Sequence, residues 1–283
     1  MLPECQSAEA AFGSPTVQDW ELFLEWSTAE GWRVPAQELA LYRHELADSA
    51  FVLRDEQSQP LGFVTVCRQH GSAWIGNLLV DPARRGQGHG RRLFEHAVGT
   101  LSARGAAVLW LTASAEGRPL YVNLGFREAG RIERWVWSGT GLAREGTVAV
   151  GNGHLYDLVR ADAAAWGSSR AGLLTLLARG GRIVSAGSTV AMLQPGDGLR
   201  VLGPWLSADL CPRSNRIVLT SALEAFSGSG EIAVDVLGGS PVRPLLSAAG
   251  FRQCGETVLM MRGEAGRVRF GEVVALASLG SMG

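Results

Sequence analysis

The feature that most constrains the fold of this chain is an internal repeat at a nearly constant separation. The segment "RPLYVNLGFREAG", which begins at Arg118, has a counterpart in "RPLLSAAGFRQCG", which begins at Arg243. "LGF" around Gly62 is matched at the same distance by "AGS" around Gly187, and "IGNLLVDP" by "LGPWLSAD" at almost that distance. Self-similarity at a fixed separation indicates that one structural unit occurs twice. We therefore expect two domains of related fold.

Length and composition agree with a duplicated globular chain. The 283 residues suffice for two domains that each bury a core, and 46% hydrophobic with 19% charged residues is typical of folded proteins. The segment "SGTGLAREGTVAVGN", which begins at Ser138, is rich in glycine and weakly patterned, as expected for a linker. We place the domains at 12–140 and 156–283, with a linker at 141–155.

Hydrophobic periodicity in the first domain alternates between helical and strand patterns. The predicted order is two helices, a strand hairpin, a buried central strand, a helix, a buried strand, a short helix and a last strand. In residue numbers these are helices at 17–32 and 34–46, strands at 51–53, 61–67 and 73–80, a helix at 90–102, a strand that ends at Leu111, a short helix closed by Gly125, and a strand at 131–137.

Composition excludes several classes of function. The 26 basic residues are all arginines, so a phosphate loop ending in Gly-Lys and a lysine Schiff base are both impossible. A net charge of −1 disfavours nucleic acid and anionic membranes as partners, and no apolar run approaches the ~20 residues that span a bilayer. The start of the chain lacks a secretory pattern. The four cysteines and the histidines lack metal-ligand spacing, so we expect no metal, reduced thiols and a cytoplasmic location.

The stretch "VDPARRGQGHGRRLFEHAV" places a glycine-rich, arginine-rich loop between the central strand and a helix. Gly86, Gly88 and Gly90 leave consecutive backbone N–H groups unobstructed at the start of that helix. Such a concavity binds anions because the helix dipole adds positive potential, and several charge-assisted hydrogen bonds could hold a pyrophosphate. The Gly-x-Gly-x-x-Gly spacing of dinucleotide folds is absent.

Two motifs resemble those of the GNAT superfamily of N-acetyltransferases. "RRGQGHG" contains Arg-x-x-Gly-x-Gly at Arg85, Gly88 and Gly90, which is similar to the acyl-coenzyme A signature of that superfamily. "LYVNLGF" is similar to its second hallmark, Tyr-x-x-x-Gly-Phe, with the tyrosine at Tyr121. The resemblance covers about 12–137. It implies an α+β (α/β) fold in which each domain has a mixed, mostly antiparallel central sheet flanked by helices.

The resemblance also implies acetyl-coenzyme A as cosubstrate and assigns residues to its binding. The pantetheine arm would pair with the backbone at the end of the central strand, and the pyrophosphate would bind the loop amides. Ser114 stands near the place where relatives have an asparagine that touches pantetheine. The cofactor-binding candidates are Leu78, Leu79, Val80, Arg85, Gly86, Gln87, Gly88, His89, Gly90, Arg91 and Ser114.

The implied reaction is direct attack of an amine on the acetyl thioester. The ammonium, with a pKa near ~10.4, must first lose a proton. The Leu79 or Val80 amide could stabilise the oxyanion, and Tyr121 could protonate the leaving thiolate, although it could also only pack on the cofactor.

No general base can be assigned from the sequence. The central strand reads Trp74-Ile75-Gly76-Asn77, without the carboxylate that many relatives place there. Asn77 could orient a water, which leaves water-mediated deprotonation as the hypothesis, or it could be a structural amide. Three carboxylates in nearby loops fit solvated turns better: Glu116, Asp55 and Glu56. Trp26 and Trp32 could line an acceptor pocket.

The second domain lacks the loop that defines the first. "GPWLSADLCPRSN" has no glycine cluster, Pro212 removes an N–H, and Leu246 stands where the first copy has Tyr121. The whole chain resembles bacterial tandem GNAT proteins with a degenerate C-terminal copy, which would act as a scaffold or shape the acceptor site. The final "EVVALASLGSMG" could pack across both domains or remain inside the second.

These observations predict an acetyl-coenzyme A-dependent N-acetyltransferase that acts on a small-molecule amine. The protein could form a homodimer. The alternative is a non-catalytic acyl-coenzyme A sensor or interaction module, for which Tyr121→Phe would change nothing. A nucleic-acid binder is disfavoured by the balanced charge.

Overall fold

The computed structural model describes residues 11–140, 153–226, 229–264, 266 and 268–283. Most of the predicted linker lies outside these residues. Within them, twelve strands join into one continuous sheet. In the described part of the chain no helix is both long and apolar enough to cross a bilayer.

The first half confirms the predicted helices and strands and adds a short strand at its start. Helix α1 begins with a capping box between Thr16 and Asp19, and α3 buries an apolar face that includes Leu93 and Phe94. The elements are β1 Ala11–Gly13, α1 Val17–Ala29, α2 Ala36–Arg43, β2 Ala50–Arg54, β3 Pro60–Arg68, β4 Ser72–Val80, α3 His89–Ala103, β5 Val108–Ala113, α4 Arg118–Asn123 and β6 Arg127–Thr140.

The second half runs through nearly the same series of elements. Its described residues include no counterpart of β1, and it ends with an additional short strand. The elements are α5 Leu155–Trp166, α6 Ala171–Leu177, β7 Arg182–Ala186, β8 Thr189–Leu193, β9 Leu199–Ser207, α7 Pro212–Glu224, β10 Ser229–Leu237, α8 Arg243–Ala248, β11 Arg252–Arg262 and β12 Val273–Ala275.

The two halves exchange their last long strands. The order in the sheet is β1-β2-β3-β4-β5-β11-β6-β10-β12-β9-β8-β7. Strand β11 pairs antiparallel with β5, β6 pairs antiparallel with β10, and the two exchanged strands pair with each other. Each half therefore completes the sheet of the other, and their backbones are hydrogen-bonded across the junction.

The sheet is mixed and mostly antiparallel, as the family resemblance implies, but it is one continuous sheet rather than a separate sheet in each domain. Two of the described pairings are parallel, β4 with β5 and β9 with β10. Strands β4 and β5 pair at Ser72–Trp74, and none of the described pairings joins them beyond that point. Asn77 has a φ of 50°, and it stands with Leu78 opposite the single residue Val64 of β3. This bulge turns the end of β4 away from β5 and opens the sheet there.

A matching bulge occurs in β9, but the gap beside it is filled. Gly203 and Pro204 together oppose Met192 of β8. Strand β12 then lies between β9 and β10 and pairs with both. The buried Gln194 amide donates to the Gly203 carbonyl at 2.7 Å and to the Ala277 carbonyl at 2.6 Å, which holds the inserted segment in place. The opening in the first half is thus closed in the second half by the chain itself.

Candidate active site

A cavity of about 730 Å³ opens where β4 and β5 diverge. Its walls come from the end of α1, from α2, from the loop before α3, from α4 and from residues near position 280. Ten of the twelve predicted site residues line it, and only Gln87 and Arg91 of that set do not. The ten are Leu78, Leu79, Val80, Arg85, Gly86, Gly88, His89, Gly90, Ser114 and Tyr121.

The loop has the backbone conformation that an anion site needs. Gly86 and Gly88 have φ values of 75° and 84°, a region that side-chain-bearing residues rarely adopt. A Cβ at either position would meet no atom within 4 Å, so these glycines serve the backbone shape rather than tight packing. Gly88 precedes α3, and no side chain caps the first turn of this fifteen-residue helix. The amides of that turn therefore face the cavity as donors.

The arginines of the loop are not all directed at the cavity. Arg85 donates to Glu30 at 2.5 Å, across the mouth of the cavity, and both residues line it. Arg91 instead forms an ion pair with Glu95 at 2.8 Å, one turn further along α3, in an exposed position. The sequence places Arg91 at the start of the helix, but only the structure gives its partner.

Tyr121 lies on α4 with its ring buried between two aromatic neighbours. The ring centroid is 4.9 Å from that of Phe94 and 6.4 Å from that of Phe126. A Cβ on Gly117 would lie 3.2 Å from the Tyr121 ring, so a glycine in the turn before α4 gives the ring its space. Burial raises the pKa of Tyr121 to about 12, and its phenol keeps its proton at neutral pH.

The structure identifies a carboxylate that the sequence leaves unassigned, Glu38 of α2. It lines the cavity yet is only 6% exposed. The Asn77 amide donates to Glu38 Oε1 at 3.2 Å. Burial raises the pKa of Glu38, against the opposing influence of the Ser281 hydroxyl, Asn77 and the more distant Arg134 guanidinium. A buried carboxyl with a raised pKa is suited to accept a proton from an amine.

A signal for Glu38 exists in the sequence. It stands three and four residues before Leu41 and Tyr42, so it shares their buried helix face. A charged residue on the apolar face of a helix is a candidate functional group. Only the fold, however, brings that face to the bulge at Asn77, whose amide donates to Glu38.

The other carboxylates and the tryptophans divide between cavity and surface. In the turn between β2 and β3, Glu56 is exposed and Asp55 is half-buried, where it accepts from two backbone amides of that turn. Glu116 is exposed at the edge of the cavity. Trp32 lines the cavity, whereas Trp26 packs on Phe63 with ring centroids 5.6 Å apart.

The final segment packs across both halves, which settles an alternative that the sequence leaves open. Leu276 N–H donates to the carbonyl of Asp235 in β10, and Leu279 and Gly280 then line the cavity of the first half. The Ser281 backbone approaches Gly76 so closely that a Cβ on this glycine would collide with it. Among the described residues, no three His, Cys, Asp or Glu side chains gather into a metal-binding group.

Comparison with known families identifies a domain within the first half of the chain. Residues 47–128 match the sequence model of the family described as the acetyltransferase (GNAT) domain. This part of the chain is therefore a GNAT acetyltransferase domain, the domain of N-acetyltransferases.

Particular proteins are similar to this chain over part or all of its length. Over 60 residues it is 45% identical to the bS18-alanine N-acetyltransferase of Escherichia coli strain K12 and 42% identical to that of Salmonella typhimurium strain LT2. Each alignment covers 20% of this chain and 40% of the relative, so the chain spans well under two thirds of these curated relatives.

Two crystal structures match nearly the whole chain. One is a Pyrococcus horikoshii protein provisionally assigned as an acetyltransferase, with a TM-score of 0.75 and 18% identity over 98% of this chain and 96% of that one. The other is a GCN5-related N-acetyltransferase from Sphaerobacter thermophilus, with a TM-score of 0.65 and 15% identity over 93% and 96%. At these identities the likeness shows the fold.

Proposed function

We propose that this chain is an acetyl-coenzyme A-dependent N-acetyltransferase that moves the acetyl group to a primary amine. The observation that carries the proposal is the set of groups that line one cavity. It joins the glycine loop at the start of α3, the bulged end of β4, a protonated phenol at Tyr121 and a buried carboxyl at Glu38.

The loop fits the pyrophosphate of the cosubstrate, and the bulged end of β4 fits its pantetheine arm. The amides from Arg85 to Gly90 would hold the pyrophosphate, with the dipole of α3 adding to the attraction. The backbone of Leu78 to Val80, which leaves β5 at the bulge, would pair with the amide groups of pantetheine. Arg85 would exchange Glu30 for a phosphate oxygen, since both compete for the same guanidinium.

The chemistry needs two proton transfers, and the cavity has a group for each. Glu38 takes a proton from the ammonium, and the neutral amine attacks the thioester carbonyl. The N–C bond forms and the C–S bond breaks, while an amide near Val80 stabilises the oxyanion. Tyr121 gives its proton to the departing thiolate and regains one from the acetylated nitrogen. The balance is one amine and one thioester giving one amide and one thiol.

The second half would support this site without repeating it. We propose a tandem arrangement with domains at 12–140 and 156–283, in which the C-terminal copy binds no coenzyme A. Strand β12 fills the gap that would receive the pantetheine arm, and buried Leu246 stands in place of the acid. Cys67, Cys211 and Cys254 carry free thiols, which supports a cytoplasmic location.

The proposed acceptor is a primary amine. A cavity of about 730 Å³ suits a small molecule, but the bS18-alanine N-acetyltransferases, to which part of this chain is similar, act on a ribosomal protein. A protein N-terminus is therefore a second acceptor class to test beside small amines.

Thermal unfolding with acetyl-coenzyme A, followed by a panel of amines and mass spectrometry of products, tests the proposal. At about 100 times its Kd the ligand should add about 2.7 kcal/mol to the free energy of unfolding. Stabilisation together with an acetylated amine supports the enzyme. Stabilisation without product from small amines or peptides supports the sensor, and no response to acetyl-coenzyme A contradicts both.

A further inference from the structure

The final segment of the chain is held on the first half by side chains from several elements. The Ser278 hydroxyl accepts from the N–H groups of the residues at 280, 281 and 282, which shapes the segment into a tight turn. Four consecutive carbonyls of this turn each accept a side-chain donor: Leu279 from Arg134 at 2.8 Å, Gly280 from Trp74 at 3.0 Å, Ser281 from Tyr42 at 3.2 Å and Met282 from Gln69 at 3.1 Å.

This turn forms the wall of the cavity beside the candidate base. Leu279 and Gly280 line the cavity, and the Ser281 hydroxyl lies beside Glu38. The turn belongs to the second half in sequence, but its contacts lie on α2, β4, β5 and β6 of the first. It therefore belongs to the structure that an acceptor would meet.

Arg134 of β6 contributes a positively charged hydrogen-bond donor to the cavity that Glu38 lines. Its Nε and Nη2 atoms donate to the two oxygens of Asp235, each at 2.7 Å, and Nη2 also donates to the Leu279 carbonyl. These bonds use one edge of the guanidinium. Nη1 makes no hydrogen bond to the described part of the chain, and Arg134 lines the cavity with a side chain that is 22% exposed.

The two groups together define what an acceptor needs. A guanidinium N–H can only donate, so its partner must be an oxygen acceptor on the ligand. The carboxyl of Glu38 can accept a hydrogen bond or a proton from an amine. Because Asp235 already balances the charge of Arg134, a neutral carbonyl fits the site better than a carboxylate, which would add a further negative charge beside Glu38.

We propose that Arg134 and the segment Leu279–Ser281 form the acceptor subsite, and that this subsite selects α-amino carbonyl compounds, primary amines with a carbonyl oxygen on the adjacent carbon. The inference rests on the acetyl transfer proposed above and names the class of acceptor. An amino-acid amide and a peptide N-terminus share this chemistry.

The test uses calorimetry on the whole chain saturated with coenzyme A, so that its readout does not depend on turnover. The probes are alaninamide, alanine and isopropylamine, which share a branched carbon that bears the amine. Alaninamide should bind at least about 10-fold more tightly than isopropylamine, since the hydrogen bond to a charged donor is lost in the latter. Alanine should fall below alaninamide. A peptide that begins with alanine distinguishes the sources: it binds as well as alaninamide if the cavity admits a chain.

Two variants test the residues. In Gly280→Ala, the new Cβ would lie 2.6 Å from the Thr112 hydroxyl at a φ of 112°, so the turn must shift. In Arg134→Lys, the charge beside Asp235 is kept but the free guanidinium nitrogen is lost. Both should reduce the preference for alaninamide over isopropylamine to about 2-fold or less and leave the Kd of acetyl-coenzyme A unchanged.

Gly271→Ala is the matched control, because a Cβ there would meet no atom within 4 Å and its φ is ordinary. It should keep the preference of the unchanged chain. Equal affinity for alaninamide and isopropylamine in the unchanged chain would overturn the inference, as would full preference in both variants. If the unchanged chain does not bind acetyl-coenzyme A, that result would instead contradict the proposed function.

Discussion

At the scale of single residues, burial sets the proton affinity of the two groups that the proposed reaction uses. Glu38 and Tyr121 both have raised pKa values, and loss of solvation is the largest cause in each. The same rise in pKa serves two different roles. It makes the carboxyl a better proton acceptor, and it keeps the phenol protonated until it is needed.

Glu38→Gln should lower kcat by roughly 10²–10⁴-fold, the usual contribution of a positioned base. Because the pKa of Glu38 is raised, the carboxylate forms only at a higher pH than for an ordinary glutamate. The rate should therefore fall as pH decreases through that raised pKa, and this acidic limb should vanish in the variant. Steady-state rates across pH check both points.

Glu21→Gln, an exposed change on α1, is the control and should keep both rate and profile. The stability of Glu38→Gln should not fall at pH 8, since ionisation of a buried carboxyl with a raised pKa costs stability there. An acidic limb that persists in Glu38→Gln would point back to deprotonation through water.

Tyr121→Phe should lower kcat by about 10²-fold while the KM for acetyl-coenzyme A changes little, because the ring remains and only the proton donor is lost. Since burial raises the pKa of Tyr121 to about 12, its ionisation should produce no alkaline loss of rate below pH ~10. An unchanged kcat in this variant would favour the sensor.

At the scale of elements, the strand–loop–helix unit of β4 and α3 forms the end of the cavity where we propose that the cosubstrate binds. The bulge at Asn77 separates β4 from β5, and the glycines let the loop turn its amides toward the gap. Neither device depends on a bulky side chain. The unit can therefore be recognised in the sequence from its glycines and its position between a buried strand and an amphipathic helix.

Gly88→Ala should weaken acetyl-coenzyme A binding by about 10-fold, because a left-handed φ of 84° costs an alanine roughly 1–2 kcal/mol and the loop amides would turn away. Isothermal calorimetry measures the Kd. Gly99→Ala, in the interior of the same helix with open space around it, is the matched control. It should keep the Kd and raise stability by about 0.5–1 kcal/mol. Equal Kd values for both variants would contradict a role for the loop backbone.

At the scale of the whole molecule, the exchange of β6 and β11 makes the halves interdependent. Strand β11 pairs with the edge of β5 that faces away from β4, and β6 carries Arg134 into contact with Asp235 of β10. The last residues then cross from β12 back to the first half. A single site thus draws on both ends of the chain.

The chain should bind one molecule of acetyl-coenzyme A, although its fold contains two related halves. Strand β12 fills the gap in the second half, and a bound pantetheine would have to displace its pairing with both neighbours. Calorimetric stoichiometry and native mass spectrometry measure this. Two equivalent sites per chain would contradict the closed second half.

Local pattern was enough to predict most elements of the first half and the part of the cavity lining that β4 and the glycine loop supply. Helical and alternating periodicities depend on nearest neighbours along the chain, so α3, β4 and β5 could be located closely. The loop glycines are likewise a local signal. Glu38 could not be assigned, because its role depends on the distance between α2 and the bulge at Asn77, which are separated by 39 positions.

The sequence by itself determined the order of helices and strands in the first half and the bare backbone at the start of α3, since both follow from residue type and spacing. Only the tertiary structure decided which strands pair across the halves, where the final turn rests, and that Glu38, Arg134 and Gly280 share one cavity. The physical reason is that pairing and burial depend on which surfaces meet in space. A local sequence pattern does not specify which residues, distant along the chain, will pack on a side chain and bury it.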